Sequence, residues 1–357
     1  MHQDPGCTLT DVVIAPARDT VHTGMDVSII IVNWNSAAYT AACIASIQTA
    51  TQGLQYEIVV VDNGSSDNSV EMLKQVPDIR LVISSTNLGF GRANNLGYQH
   101  SSGGVLLFLN PDTSVQGWAI SRMYTALLSS PNLGVVGCKL LNVDFSLQTS
   151  CVQAFPTILN QLTDVEALKI RFPRVRMWGI SALFQEQLRP ISVDVVSGAC
   201  LMIGRKIFEE VGLFDADYFM YCEDVDLCHR VTQAGLQVGY VADATVIHYG
   251  GQSSKQARNS FFGDVVAREA ICTFFAKTRG MPYARAYSCS VCLAAMLRLS
   301  LLSLVPPSLL GKDRHGASAT KQKWRKILRW SLGRERWAKH LEHSTVVTRE
   351  PGTAEVA

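Results

Sequence analysis

The stretch that most constrains this chain is Val105-Leu106-Leu107-Phe108-Leu109, followed at once by Asn110-Pro111-Asp112. Five apolar residues bounded by Gly104 and Pro111 read as a strand covered on both faces. Strands of that kind belong to parallel sheets clothed by helices, whose ligands sit beyond the carboxyl ends of the strands. Asp112 stands at such an end. It is equally readable as the cap of a following helix, and the triplet alone does not choose between the two.

The same pattern recurs upstream. Val27–Asn33 is an apolar strand ending in Asn33-Trp34-Asn35, with a helix predicted over residues 37–49. Residues 57–61 form a second strand, ending in Asp62-Asn63-Gly64-Ser65-Ser66-Asp67, where Asp67 suits the cap of a helix starting near Asn68. Residues 79–83 form a shorter strand, and Asn87-Leu88-Gly89-Phe90-Gly91-Arg92 opens another helix. Strand–helix alternation at this spacing predicts an α/β fold, a layered nucleotide-binding sheet with helices on both faces. Further on, helices are predicted over residues 118–129 and 205–211 and from near Glu223. Strands are predicted at residues 135–137, within 193–203, and at 238–241 and 245–247. Residues 142–190 are less regular and gather Lys169, Arg171, Arg174 and Arg176; they read either as a pocket wall or as a surface excursion.

The polar residues collect in the loops that follow the strands. Asp62 suits a ribose hydroxyl or a base N–H, because a carboxylate offers acceptors only, and it suits a turn in Asp-Asn-Gly equally well. Gly89-Phe90-Gly91-x-x-Asn94 lacks the third glycine of a dinucleotide fingerprint and follows the third strand rather than the first, which excludes NAD binding. Its two glycines still let backbone N–H groups come close to a ligand, with Arg92 beside them as a cation. Glu223, Asp224 and Asp226 crowd three carboxylates into four positions. On a helix Glu223 and Asp226 share a face while Asp224 points elsewhere. Acidic residues are ordinary partners of a helix N-terminus, which accounts for two of the three.

At 357 residues the chain has room for one large domain and an appendage. Its net charge is only +2 but is unevenly spread: twelve lysines and arginines lie between residues 285 and 339, against Asp313 and Glu335 alone. The ten cysteines show no framework spacing, and Cys289-Ser290-Val291-Cys292 lacks partner ligands, so reduced thiols in a cytosolic protein are expected. Residues 1–24 are polar with no apolar core of a signal peptide, and Met25 is an alternative start. Residues 286–310 are apolar apart from hydroxyls and Arg298; the runs on either side of that charge are too short to span a bilayer. Over residues 324–341 a helix would collect Trp324, Ile327, Leu328, Trp330, Leu332, Trp337 and Leu341 opposite Arg325, Arg329, Arg336 and His340. A basic amphipathic helix bearing tryptophans predicts binding to an anionic membrane surface. No nucleic-acid recognition motif accompanies the charge, so no nucleic-acid partner is expected.

Taken in order, these motifs resemble the family-2 glycosyltransferases with a GT-A fold, and among them the bacterial rhamnosyltransferase-like branch. The resemblance covers about residues 26–253. It rests on Ile29-Ile30-Ile31-Val32-Asn33-Trp34-Asn35, Val61-Asp62-Asn63-Gly64-Ser65-Ser66-Asp67, Asn87-Leu88-Gly89-Phe90 and Asn110-Pro111-Asp112. It continues through Val196-Ser197-Gly198-Ala199, Glu223-Asp224-Val225-Asp226-Leu227 and His248-Tyr249-Gly250-Gly251. Asn110-Pro111-Asp112 stands where the family has its D-x-D motif, which implies Asp112 as a ligand of Mg²⁺ or Mn²⁺ and His248 as a second ligand. The cation would neutralise the departing nucleoside diphosphate. Asn110 replaces the first aspartate, so one charged ligand is absent and the nucleotide's own phosphates carry more of the coordination.

The resemblance further implies Asp62 as the nucleoside anchor, with Asn33, Asn87, Gly89, Arg92 and Asn110 lining the nucleotide-sugar pocket. Asp224 is implied as the general base and Glu223 as its support, giving in-line displacement with inversion. The implied donor is dTDP-L-rhamnose, with galactofuranose as another sugar carried on the same frame. The implied acceptor is a polyprenyl-diphosphate-linked saccharide of cell-envelope polysaccharide synthesis. The enzyme is then expected in the cytoplasm, peripheral on the inner face of the cytoplasmic membrane. The expected organisation is a flexible tail over 1–24 and a GT-A domain over 25–253, with a nucleotide-sugar half at 25–138 and an acceptor half at 139–253. A helical, basic, membrane-associating region over 254–343 and a second tail over 344–357 follow. A non-catalytic nucleotide-sugar-binding scaffold is the alternative, and it has no need of a base at Asp224. A nucleotidyltransferase would need a glycine-rich triphosphate loop that Asn33-Trp34-Asn35 does not supply.

Overall fold

In the computed structural model the described residues are 12–14, 24–250 apart from 52, 165, 186 and 188, 261–304 and 314–335. The strands are β1 (Val12–Ile14), β2 (Val27–Asn33), β3 (Tyr56–Asn63), β4 (Arg80–Ser84), β5 (Val105–Leu109) and β6 (Thr113–Gln116), then β7 (Leu133–Leu141), β8 (Val152–Gln153), β9 (Ile191–Val193), β10 (Val195–Val196), β11 (Cys200–Gly204) and β12 (Gln237–His248). The helices of this part are α1 (Ala37–Ala50), α2 (Ser69–Leu73), α3 (Phe90–Gln99) and α4 (Ala119–Leu128), then α5 (Ile158–Leu162), α6 (Glu166–Arg171), α7 (Arg205–Glu210) and α8 (Glu223–Gln233).

The main sheet runs β1-β4-β3-β2-β5-β11-β7-β12-β6, with β9 also on β12. β4, β3, β2 and β5 are parallel, as their unbroken Val/Ile/Leu runs require, and every residue of β2 and β5 is buried. From β2 the chain steps outward to β3 and β4, then returns to place β5 on the other side of β2. That reversal opens a crevice beyond the ends of β2 and β5. β11 is antiparallel to β5, with Cys200 opposite Leu109, so its first residues come back to the same edge.

Several expectations change in detail. Asp112 caps no helix: Thr113–Gln116 leaves the triplet as a strand paired to β12, and the next helix starts only at Ala119. The two strands expected at 238–241 and 245–247 are one long strand, bent by a register shift between Val241 and Thr245. Within the expected N-terminal tail, the β-branched triplet Val12–Ile14 pairs antiparallel with β4, where an open sheet edge offers unpaired backbone groups. The N-cap of α2 is Asn68 rather than Asp67, which stands one residue earlier and accepts from the Ser69 N–H at 3.0 Å.

Three helices follow, Phe262–Arg279, Met281–Leu304 and Arg314–Ser331. The first buries Val265, Val266, Ile271, Phe274 and Phe275, and its Lys277 binds Asp215 and, at 2.6 Å, Asp217 of the sheet domain. The helix expected over 324–341 stops at Ser331. Gly333, at φ 72°, turns the chain, and the N–H groups of Leu332, Gly333 and Arg334 close back on the last carbonyls. Part of its apolar stripe is turned inward: Ile327 and Trp330 are buried, and Trp324 sits under Arg298 at 4.2 Å and Arg268 at 5.6 Å, while Leu332 is 52% exposed. The inward part of the stripe holds the three helices together. Trp337 and Leu341, with Arg336, Lys339 and His340, lie outside the described residues, as do Pro306, Pro307 and Gly251.

α3 lies so close on the sheet that a Cβ on Gly97 would stand 2.5 Å from Ile30 Cγ2 and 3.1 Å from Val61 Cγ2. Gly97→Val is therefore expected to cost about 2 kcal/mol or more in urea unfolding. Gly104→Ala, where nothing lies within 4 Å, should stay within about 0.5 kcal/mol of the parent.

Candidate active site

The polar residues singled out above meet along one edge of the sheet. Asn33, Asp62 and Asn110 end or follow the parallel strands, Ser197–Ala199 lead into β11, and His248 ends β12 opposite Thr113. α8 brings Glu223 and Asp224 to the same edge, because Gly198 donates its N–H to Asp224 Oδ2 at 2.7 Å. The next residue, Ala199, accepts the Asn110 N–H at 2.9 Å.

Asn33 and Asp62 face each other in register across β2 and β3, and both are buried. Asn33 Nδ2 donates to Asp62 Oδ2 at 2.8 Å and to Ser65 Oγ at 3.2 Å, while its Oδ1 accepts from Ser36 and Thr40 hydroxyls. All four of its hydrogen-bonding sites are thereby filled. Asn33 is thus held within the protein and braces Asp62. Asp62 Oδ1 accepts from the Ser65 N–H at 3.1 Å, so the carboxylate is held from two sides.

Asn63, quoted in the motif but given no role, organises the neighbouring loop. Its side chain donates to Asn87 Oδ1 at 3.0 Å and to the Gly89 carbonyl at 3.3 Å, and accepts from the Leu88 N–H at 2.8 Å. Gly89, at φ +83°, has no room for a Cβ, which would fall 2.2 Å from the Phe219 carbonyl oxygen. Arg92, in the first turn of α3, turns its Nε to the Ala216 carbonyl at 3.0 Å. Its guanidinium faces the cleft between the sheet domain and the C-terminal helices, also lined by Phe219, Glu269 and Trp330.

Asp112 is 4% exposed, and its Oδ1 lies 3.4 Å from His248 Nε2. Gln148 aims that ring. Its Nε2 donates to the His248 carbonyl at 2.7 Å and to Asn142 Oδ1 at 2.9 Å, which leaves Oε1 as the atom facing His248 Nδ1 at 3.0 Å. An acceptor there places a proton on Nδ1 and aims Nε2 at Asp112 and the Asn110 amide, 3.3 Å away. A carboxylate and an imidazole at this spacing share a proton as an ion pair or, with Nε2 unprotonated, flank a cation. Neighbouring ligands of an octahedral Mg²⁺ or Mn²⁺ stand about 3 Å apart, so these groups fit a divalent cation. Gln148 was not foreseen: it lies 100 residues from His248, in the irregular stretch.

Glu223 and Asp226 are buried on one face of α8 and Asp224 is partly exposed on another, as the helical spacing required. Asp226 is structural, paired with Arg230 at 2.7 Å. Asp224 accepts from the N–H groups of Gly198 and Val225, which favour its ionised form against the upward push of burial. Glu223 Oε2 has no hydrogen-bond partner, and burial beside Asp224 pushes its pKa up to about 8. Burial raises both carboxyls above their ordinary values; the two N–H groups on Asp224 oppose that push, while Glu223, with Asp224 beside it, is driven up to about 8. Immediately before them Tyr221 and Cys222, at φ 71° and 65°, both hold the left-handed conformation, a local strain of the kind found at working sites.

Because Glu223 is a stronger proton binder folded than unfolded, its stability contribution is full below its ordinary value of 4.5 and falls as pH rises through about 8. Glu223→Gln should leave the melting temperature near that of the parent at pH 4.5. At pH 8.5 it should raise it by at least about 2 °C in differential scanning calorimetry, flattening the alkaline slope.

Comparisons with known proteins bear on the family and the fold. The profile of glycosyl transferase family 2 matches residues 28–212. Over 240 residues, 63% of this chain and 76% of the relative, the chain is 31% identical to an N-acetylglucosaminyl-diphospho-decaprenol L-rhamnosyltransferase of Mycobacterium tuberculosis. It is 27% identical over 219 residues, 58% of this chain and 76% of the relative, to the rhamnosyltransferase WbbL of Escherichia coli K12. Among solved structures, a mannosyltransferase from Pyrobaculum calidifontis in complex with GDP-Man and Mn²⁺ superposes with a TM-score of 0.50 at 16% identity, covering 93% of this chain and 92% of that one, which shows the shared GT-A fold. The sheet order, the motif sequence and the extent of these matches lead to one conclusion: the chain belongs to glycosyl transferase family 2.

Proposed function

We propose that this protein moves a sugar, L-rhamnose from dTDP-L-rhamnose, onto a polyprenyl-diphosphate-linked saccharide with inversion at the anomeric carbon. The observation that carries the reading is the pairing of Asp112 and His248 on one side of Ser197–Ala199 with Asp224 on the other. Asp112, His248 and the Asn110 amide would hold Mg²⁺ or Mn²⁺, which when bound supplies positive charge for the departing diphosphate. Asp62, braced by Asn33 and Ser65, accepts from the nucleoside, and Asn63 sets the Asn87–Gly89 loop whose backbone faces the donor. Asp224 takes the proton of the acceptor hydroxyl. That oxygen then bonds to the anomeric carbon while the bond to the diphosphate oxygen breaks and the diphosphate keeps its electron pair. Glu223, neutral beside it, avoids a second buried negative charge that would repel the ionised base.

Rhamnose is chosen because the two relatives described above are rhamnosyltransferases, and a lipid-linked acceptor because one of them is named for a diphospho-decaprenol substrate. Such an acceptor puts the protein at the inner face of the cytoplasmic membrane.

Asp224→Asn is expected to lower kcat by about 10³-fold with the donor KM nearly unchanged; full retained turnover would remove the base. Thermal-shift screening of nucleotide-sugars should give its largest Mn²⁺-dependent shift with dTDP-L-rhamnose, and Asp112→Ala should abolish the metal-dependent part. A uniform response across the panel would refute nucleotide-sugar binding.

A further inference from the structure

Met281–Leu304 is long and apolar enough to cross a membrane, but one of its faces is already taken: Ala284, Tyr287, Val291 and Ala295 are buried against the sister helices. The other face is bare. Leu293, Met296, Leu297, Leu301 and Leu304 are 44–83% exposed and recur at helical spacing along a single stripe. Arg298, which would interrupt an apolar run in sequence, does not interrupt this stripe, because its guanidinium is turned inward over the Trp324 ring at 4.2 Å. No Asp or Glu occurs anywhere between residues 270 and 312.

A second exposed apolar surface adjoins the start of this helix. α5 meets it where the Ile158 N–H donates to Tyr283 Oη at 3.3 Å, and the next residue, Leu159, is 62% exposed. α6 follows, leading into Ile170 and Phe172, exposed at 60% and 50% and interleaved with exposed Arg171, Arg174 and Arg176. Arg171 lies over the Phe172 ring, and no acidic residue occurs from 167 to 185. A protein partner is usually met with charges of both signs, whereas the segment from Ile170 to Arg176 and the outward stripe of Met281–Leu304 carry no acidic side chain, the nearest acids in sequence being Asp164, paired with Lys169, and Glu166. That combination matches the headgroup layer of an anionic bilayer.

We propose that the outward stripe of Met281–Leu304 and the basic excursion around Ile170–Arg176 together seat the protein on an anionic lipid surface, lying along the membrane rather than across it. The proposal rests on the lipid-linked acceptor of the preceding section and names the surface that brings the crevice to it. It assigns this role to elements other than the tryptophan-bearing helix, whose Ile327 and Trp330 are buried and whose Lys326 and Arg329 are paired with Glu335.

The test is co-sedimentation of the full chain with phosphatidylcholine vesicles and with mixed phosphatidylcholine–phosphatidylglycerol vesicles. The parent should bind the mixed vesicles at least about tenfold more tightly, with the difference removed by salt. Leu297→Glu/Leu301→Glu should lose binding to both kinds of vesicle. Arg171→Glu/Arg174→Glu should lose only the preference for the anionic ones. Phe145→Glu, 69% exposed on a distant turn, should change neither. All variants should keep the parent melting temperature and transfer to a water-soluble, chain-shortened acceptor. Absence of that transfer in the parent would count against the glycosyltransfer reading and leave the vesicle result to stand by itself. Parent protein that ignores vesicles, or a Phe145→Glu loss equal to that of the leucine pair, would overturn the membrane surface. So would a parent dimer that Leu297→Glu/Leu301→Glu turns into monomer with vesicle binding unchanged.

Discussion

The seam between β5 and β11 is the constraint on which the rest depends. On one side of it the strands are parallel and end in ligand-facing loops; on the other, β11 runs the opposite way and starts where β5 stops. The reversal lets two neighbouring peptide groups tie together two parts of the same sheet edge. The Ala199 carbonyl holds the backbone of Asn110, and the Gly198 N–H holds the carboxylate of Asp224. Backbone groups do it, and the space at Gly198, where a Cβ would stand 3.2 Å from that of Asp224, keeps the approach close.

Much of this was legible in the chain itself, for a physical reason. A strand buried on both faces must be apolar throughout, so its end is marked sharply by the first polar residue, and Asn33, Asp62 and Asn110 all stand at such marks. The helical spacing of Glu223, Asp224 and Asp226 likewise separated the buried pair from the partly exposed carboxylate. What stayed hidden was the division of labour within the motifs. Asn33 and Asp62 look alike as polar residues ending strands, yet only the hydrogen-bond network shows that Asn33 is fully bonded within the protein and braces Asp62 with one of those bonds. Gln148 carries no signal, since an amide in an irregular loop becomes informative only when folding brings a histidine to it.

The basic end of the chain teaches a different limit. Amphipathicity reveals that a helix has an apolar face; it does not say what covers that face. In Arg314–Ser331 the cover is internal, supplied by Tyr287 and by the aliphatic and cationic groups around Trp324. In Met281–Leu304, whose composition shows no clean division into two faces, the outward stripe emerges only once Arg298 is seen to fold inward. A charge counted against an apolar helix in sequence can be the residue that fastens it to its neighbour.

Gln148 has one more property. It closes the short turn after β7, where Leu141 bridges Leu147 and Asn142 bonds to Ser146, and beyond it the chain departs into the irregular excursion that returns at β9. The same side chain grips His248 twice, at the ring and at the carbonyl. The root of the excursion is therefore also the bearing of the imidazole. The part of the chain with the least regular structure thus begins at the residue that fixes the ring's orientation.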